Sequence, residues 1–294
     1  NIDQEKKSDP KKHAGFIMQR YTDLTRRVAR NKPDLIVWPE AATPGLVLKN
    51  MTLLQQVAAL IKGVGTHFLI VSSEYPKFGN GKAPKFGDVG NTALFFSPEG
   101  KVKGQYLKIN LVPFGEYIPY DKYIKWPDFI VPVDKTNYEI PGTEHMLFDM
   151  GGSKFGVLIC WEIVFPDLFR RFVKNGADFM LNITNEGWFG ETAAPHQMVA
   201  ISVFRAVENR VSLTRSANTG ISCFIDRLGR VKGRVLNNGR DIFVEGYLTR
   251  EIRLSRKKTW YTLYGDVFAS ICVVISAFSI GSALVNRKRK AKIG

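Results

Sequence analysis

Near its C-terminus the chain carries VFASICVVISAFSIGSALV, Val267 to Val285, nineteen residues without a charge and with four serines as the polar members. As a helix, a run of that length crosses a hydrocarbon core of about 30 Å. Trp260, Tyr261 and Tyr264 stand just before it, where an interfacial aromatic belt would lie, and Asn286-Arg287-Lys288-Arg289-Lys290 follows at once. A buried core helix needs no such basic patch. The pattern therefore predicts a transmembrane helix with its aromatic flank over 259–286 and a basic cytoplasmic tail over 287–294. Residues 1–258 would form a folded domain on the other side of the membrane.

That domain has the composition for a core, since the whole chain of 294 residues is 45% hydrophobic and 12% aromatic. The net charge of +15 invites a nucleic-acid reading. However, the basic residues are spread along the chain, with no basic helix, zinc-ligand spacing or ribonucleoprotein motif, so no nucleic acid is expected. The start, Asn1-Ile2-Asp3, has neither an initiator methionine nor a signal peptide and reads as a fragment with an upstream part missing. Cys160, Cys223 and Cys272 form no metal or redox spacing, and no cofactor or metal is expected. A disulfide between Cys160 and Cys223 stays open as an alternative in an oxidising compartment.

Periodicity divides the domain into alternating elements. Phe16, Ile17, Tyr21, Leu24 and Val28 predict a helix over Ala14 to Asn31, and DLIVWPE, Asp34 to Glu40, reads as a short buried strand stopped by Pro39. Leu53 to Ile61 returns to helix and Phe68 to Ser72 to strand. Two hairpins share their wording: Thr92 to Phe96 with Val102 to Leu107, and Ser222 to Asp226 with Val231 to Val235. DLIVWPE likewise has a counterpart in DFMLNITNE at Asp178. These echoes predict two similar halves stacked sheet on sheet with helices outside, although turns of this kind also recur by convergence. Ala194 to Arg210 predicts a helix with Met198, Ile201, Phe204 and Val207 as its core stripe. Between the halves, Pro113 to Val133 is too proline-rich for a regular element and too aromatic for an ordinary loop.

Chemistry enters with VLICWEIVFP, Val157 to Pro166, where Cys160 and Glu162 interrupt an apolar run. Alone, the segment fits an inert core thiol beside a solvated carboxylate. Two other strand ends carry suitable partners: Glu40 after LIVWP and Lys108 in QYLKINLVPFGE. A thiol of ordinary pKa, about 8.5, is only slightly ionised at neutral pH and needs a base to become a nucleophile. A carboxylate can take its proton, and a lysine can stabilise both thiolate and oxyanion. His13, His67, His145 and His196 fall in no motif resembling a cysteine–histidine enzyme.

LIVWPEAATPG, YLKINLVPFGEYIP and GVLICWEIVFP follow the order and approximate separations of the Glu-Lys-Cys triad of the nitrilase (carbon–nitrogen hydrolase) superfamily. LVPFGEYIP, NITNEGWFG and the terminal span resemble its apolipoprotein N-acyltransferase branch, and the resemblance covers nearly the whole chain. It implies an α/β fold, a four-layer αββα nitrilase-like sandwich, whose first strand and further membrane spans precede Asn1. It also implies a multi-pass protein of the bacterial inner membrane with the catalytic domain in the periplasm. The implied reaction moves a fatty acyl chain from a phospholipid to the N-terminal amine of a diacylglyceryl-modified apolipoprotein, by a monomeric enzyme with ping-pong kinetics.

On this resemblance Glu40 is the general base and acid, Cys160 the nucleophile, and Lys108 with the Trp161 backbone N–H the oxyanion donors. Glu116 would orient Lys108, and Glu162 would support the nucleophile turn. Trp188, Phe189 and Tyr117 would line an acyl groove or meet the lipid interface, with core packing the rival for Phe189. Two positions depart from the branch: Trp161 stands where tyrosine is frequent, and Lys7-Ser8-Asp9 stands where Lys-Trp-Asp is common. Two other functions compete. A membrane-anchored amidase would use the same triad to hydrolyse a small amide. A basic scaffold at an anionic lipid surface would leave the cysteine inert.

Overall fold

Asp9 and Pro10 start the first helix: the Asp9 carboxylate accepts from the Lys12 N–H, and Pro10 occupies the first turn, where its missing N–H is no loss. In the computed structural model, which describes residues 2–3, 6–7, 9–75, 89–127 and 139–293, this helix is α1 (Pro10–Ala29). It begins ahead of Ala14 because capping chemistry, rather than apolar spacing, sets a helix start. Strand β1 (Leu35–Val37) follows, then α2 (Met51–Val64), which the Asn50 side chain caps and Gly65 ends at φ 65°. Strands β2 (His67–Glu74), β3 (Gly90–Phe96) and β4 (Val102–Leu107) complete a sheet in the order β1-β2-β3-β4.

The second half contains β5 (Phe148–Asp149) and β6 (Lys154–Ile159), a 3-10 turn at Cys160–Val164, α3 (Pro166–Lys174) and β7 (Phe179–Asn185). A second 3-10 turn at Gly187–Phe189 leads to α4 (Ala194–Asn209), β8 (Ser212–Asn218), β9 (Cys223–Ile225) and β10 (Val231–Arg234). Their sheet runs β10-β9-β8-β7-β6-β5. From β1 to β4 the pairings are parallel, antiparallel, antiparallel, and from β7 to β10 they are the same. The repeated wording therefore corresponds to repeated topology, with β1 and β7 in equivalent places.

Alternation along the strands builds the layers. Phe68, Ile70, Leu94 and Phe96 share a core with Ile17 and Tyr21 of α1 and Val57 and Ile61 of α2. Their neighbours Leu69, Val71, Ala93 and Phe95 face the other sheet and pack with Phe155, Val157, Ile159 and Phe179. Phe95 meets Phe155 edge-on, with ring centres 5.4 Å apart. On the far side of β6, Gly156 lies under Phe172 of α3, where an added Cβ would stand 2.7 Å from the ring. The order helix, sheet, sheet, helix is the expected αββα sandwich.

Helix α4 corrects one expectation. Its buried face is Val199, Ser202, Ala206 and Asn209, whereas Phe204 is 62% exposed. Met198 and Ile201 of the expected stripe do pack, half-buried, against the core, but the buried face is rotated away from Phe204 because two polar residues turn inward to hydrogen bonds: Ser202 accepts from Arg215, and Asn209 accepts from Thr262. The predicted alternative of a disulfide also fails, since Cys160 and Cys223 are free thiols.

After α5 (Trp260–Tyr264) comes α6 (Val267–Ile293). Its stretch Val267–Leu284 has a mean hydropathy of 2.2, is long and apolar enough to cross a membrane, and buries none of its residues in the protein. A helix of this domain's own core would be covered, and 267–284 is not covered by the described residues. Ser8, residues 128–133 of the aromatic stretch and the side chains of the basic tail lie outside the described residues.

Candidate active site

Three strand ends converge where the sheets meet. Beyond β1, Trp38 is pinned: its N–H donates to Leu69, its indole donates to Thr25, and its ring stacks on Tyr21. The chain then turns through Pro39 to Glu40, which is 7% exposed. Glu40 Oε1 accepts from Asn91 Nδ2 at 2.6 Å, and Oε2 accepts from the Asn185 N–H at 2.7 Å. One carboxylate is thus fixed by β3 of its own sheet and by the end of β7 in the other.

Lys108 follows β4 and is fully buried. Its N–H donates to Asn91, its carbonyl accepts from Gly142, and its Nζ pairs with Glu116 Oε1 at 2.5 Å. The other oxygen of Glu116 accepts from the Val112 N–H at 2.9 Å, so the PFGEY loop aims the carboxylate at the ammonium. Cys160 ends β6 with φ 53°, in the left-handed region. For a side chain with a Cβ this costs on the order of 1–3 kcal/mol and needs external restraint. Asn182 supplies it, donating to the carbonyls of Leu158 at 3.1 Å and Cys160 at 3.2 Å.

The electrostatics couple these groups. Burial pushes the Cys160 thiol up to about 12 and Glu40 adds to the rise, while Lys108 and a hydrogen bond from Thr184 oppose it. The resting thiol is therefore protonated, and any nucleophilic use of it needs a base to take its proton. Burial lowers the Lys108 pKa, but Glu40, Cys160 and Glu116 more than offset this and leave it raised, so the ammonium stays charged. A protonated thiol, a held carboxylate and a fixed cation form a set that can carry out nucleophilic acyl chemistry.

Glu162 differs from the solvated carboxylate its sequence context allowed. It is fully buried and accepts from Tyr106 Oη at 2.8 Å and from the N–H groups of Ile109, Asn110 and Ile159 at 2.7, 3.1 and 2.8 Å. It ties the residues after Lys108 to the residue before Cys160. Burial raises its carboxyl to about 7 against the pull of these donors. Trp161 is the second residue of the 3-10 turn, where backbone N–H groups have no partner within the turn. Its ring packs edge-on against Phe165.

Trp188, Phe189 and Tyr117 are 75%, 38% and 37% exposed, which removes core packing as the role of Phe189. The first two sit in the turn that Glu186 links to Asn185, the residue that holds Glu40. Tyr117 follows Glu116 in a loop that folds on itself, with Phe114 edge-on to Trp126 and Trp126 donating to Pro119.

Sequence reading missed two ionisable groups here. Glu139 donates its N–H to the Glu116 carbonyl, and burial followed by the charge of Glu116 pushes its carboxyl up to about 7. Its Oε2 is buried with no hydrogen-bond partner among the described residues. Lys7 donates to the Glu40 carbonyl at 3.0 Å, and burial lowers its ammonium to about 7 against the pull of Glu40. Glu139 stands in no motif, and Lys7 stands in the Lys7-Ser8-Asp9 stretch without a role that its spacing would assign. The missed asparagines Asn182 and Asn185 did leave a signal: they are polar interruptions in the buried strand NITN.

Known proteins share this plan. The chain is 37% identical to an apolipoprotein N-acyltransferase of Geobacter metallireducens over 98% of this chain and 53% of that protein. It is 31% identical to one of Rhizobium rhizogenes over 93% of this chain and 52% of that protein. It thus spans about half the length of these curated relatives. The crystal structure of an amidase from Nesterenkonia sp. superposes with a TM-score of 0.57 at 18% identity, covering 77% of this chain and 81% of that one, a likeness of fold alone. The family model described as carbon-nitrogen hydrolase matches residues 11–261. With that match over most of its length, its αββα sandwich and its three converging strand ends, the chain belongs to the carbon–nitrogen hydrolase family of the nitrilase superfamily.

Proposed function

We propose that the chain is the catalytic part of a membrane N-acyltransferase that moves a fatty acyl group from a phospholipid to the amine of a diacylglyceryl-modified N-terminal cysteine. The observation that carries the reading is the similarity along 98% of the chain to proteins named apolipoprotein N-acyltransferase, with the apolar helix included. Glu40 takes the Cys160 proton as sulfur attacks the ester carbonyl. Lys108 and the Trp161 N–H hold the oxyanion, and the proton passes to the departing lysophospholipid alcohol. The amine then attacks the thioester, giving its proton to Glu40, and the amide leaves as Cys160 regains a proton. Atoms balance over two half-reactions, which makes the kinetics ping-pong.

In this reading Glu116 holds Lys108 in place and Glu162 fixes the nucleophile turn. Trp188, Phe189 and Tyr117 meet the acyl chain or the lipid interface, where aromatic rings are favoured. The domain of residues 1–258 lies in the periplasm of a multi-pass inner-membrane protein, the tail of 287–294 in the cytoplasm, and the enzyme acts as a monomer. An amidase would use the same three residues to form its thioester from a small amide, with ammonia or an amine as the leaving group, and would resolve that thioester with water.

The test is intact-protein mass spectrometry of purified full-length protein incubated with phospholipid alone. An acyl adduct on Cys160 that hydroxylamine removes, and that passes to a diacylglyceryl-cysteine peptide, is expected. Lack of an adduct, or full activity in Cys160→Ala, sinks the proposal. Release of ammonia from small amides, with no acyl transfer to the peptide, would favour the amidase.

A further inference from the structure

Arg215, in β8, is among the largest fully buried side chains of the molecule, and a buried guanidinium is costly unless every donor finds a partner. Its partners lie in two directions. Nη2 pairs with Glu186 Oε1 at 2.5 Å, while Nη1 donates to Asn182 Oδ1 at 2.5 Å and to Ser202 Oγ at 3.1 Å. Nε donates to the Ile221 carbonyl at 3.5 Å. Asn182 stands directly opposite Arg215 in the β7–β8 register, so strand pairing itself sets the first contact.

Both lines lead to the reacting groups. With its Oδ1 engaged by Arg215, Asn182 has its amide nitrogen oriented toward the carbonyls of Leu158 and Cys160. That bond restrains a cysteine at φ 53°. Glu186 follows Asn185, whose N–H holds Glu40, and the Glu186 N–H donates to Asn218, whose side chain in turn donates to Asn185. Gly220 packs against the Glu186 carboxylate with no space for a Cβ, so this carboxylate has one place to sit.

We propose that Arg215 is a positioning residue that sets the Cys160 turn and the Glu40-holding end of β7 in one frame, through Asn182 and Glu186 respectively. It touches neither reacting atom. The proposal rests on the reading of Cys160 and Glu40 as nucleophile and base. A simple stabilising ion pair would predict something else, because a buried pair replaced by apolar residues of similar volume often keeps its stability. The two roles therefore separate in a variant that removes both charges together.

The experiment compares full-length wild type, Arg215→Lys, Asn182→Ala and the double variant Arg215→Met/Glu186→Met. It measures thermal unfolding, acylation of Cys160 by phospholipid vesicles, and alkylation of Cys160 by iodoacetamide read by peptide mass spectrometry. Misplacing reacting groups by about 1 Å costs on the order of a hundredfold in rate. The double variant is expected to fold and melt near the wild type, yet to lose about a hundredfold in acylation and alkylation. Asn182→Ala, with the ion pair intact, is expected to lose a comparable factor, and Arg215→Lys, keeping a cation, to lose less. Wild-type rates in a folded double variant, or in Arg215→Lys and Asn182→Ala should the double variant not fold, overturn the proposal. Activity surviving in Cys160→Ala would instead overturn the nucleophile reading, which keeps the two failures distinguishable.

Discussion

Glu162→Gln tests whether the Cys160 turn, which carries the nucleophile in the proposed reaction, is held by a buried carboxylate. In the native site Oε1 accepts from Tyr106, Ile109 and Asn110, and Oε2 accepts from Tyr106 and Ile159. A glutamine can keep its carbonyl at the Oε1 position and satisfy that side. Its NH2 then faces the Ile159 N–H, donor against donor. One orphaned buried donor costs about 1–3 kcal/mol. For a domain of this size that lowers the melting temperature by roughly 2–4 °C for each kcal/mol. The kinetic loss should be larger in proportion, because Ile159 directly precedes Cys160 and a displaced nucleophile costs up to about a hundredfold. Circular dichroism melting in detergent and the rate of Cys160 acylation, measured side by side, read the two effects. Glu144→Gln, at an exposed carboxylate, serves as the control and should change neither. If Glu162→Gln melts and acylates like the control, the reasoning about this carboxylate is wrong.

Three further outcomes follow from the geometry. Glu139 has its carboxyl raised from 4.5 to about 7, so across that window the folded protein holds a proton that the unfolded chain has released. This group's contribution to stability falls as pH rises from 4.5 to 7, and Glu139→Gln should flatten the slope of melting temperature against pH there. An unchanged slope would remove Glu139 from the account. Gly156→Ala pushes a methyl into Phe172 and Met180, and overpacking of this kind should destabilise by about 1–3 kcal/mol in denaturant titrations. Trp188→Ala, at a side chain 75% exposed, should leave unfolding unchanged while raising the KM for vesicle-borne phospholipid under the acyl transfer proposed above. An unchanged KM would separate Trp188 from the substrate.

Much of the site was legible because strand-end chemistry leaves short, local signatures. Glu40 after a buried LIV run, Lys108 after a hairpin strand and Cys160 after VLI each sit where a strand stops and a side chain can face a cleft. Glu116 was legible from its loop wording, and the structure pairs it with Lys108. Glu162 was only half legible: sequence showed a carboxylate beside a cysteine, and burial decided that it faces four donors instead of water. Glu139 lay in no motif and Lys7 in one that gave it no role, since Glu139 reaches the site by a backbone pairing and Lys7 by a side-chain bond, each to a distant segment. The helix α4 stripe was half legible: Met198 and Ile201 pack against the core, but Phe204 does not, because Ser202 and Asn209 are buried through partners on other elements, which spacing along one helix cannot reveal.

By itself the sequence determined the alternating elements, the doubled halves, the membrane-length apolar run and the residues able to do thiol chemistry, because each is written in local periodicity or short spacing. Only the tertiary structure decided that Asn91 and Asn185, from different sheets, grip the two oxygens of Glu40. The same holds for Arg215, which reaches both the cysteine turn and the strand end beside Glu40. The physical reason is that a hydrogen bond between residues far apart in the chain leaves no period in the sequence. It comes into being when two sheets stack and bury the groups that must then find partners.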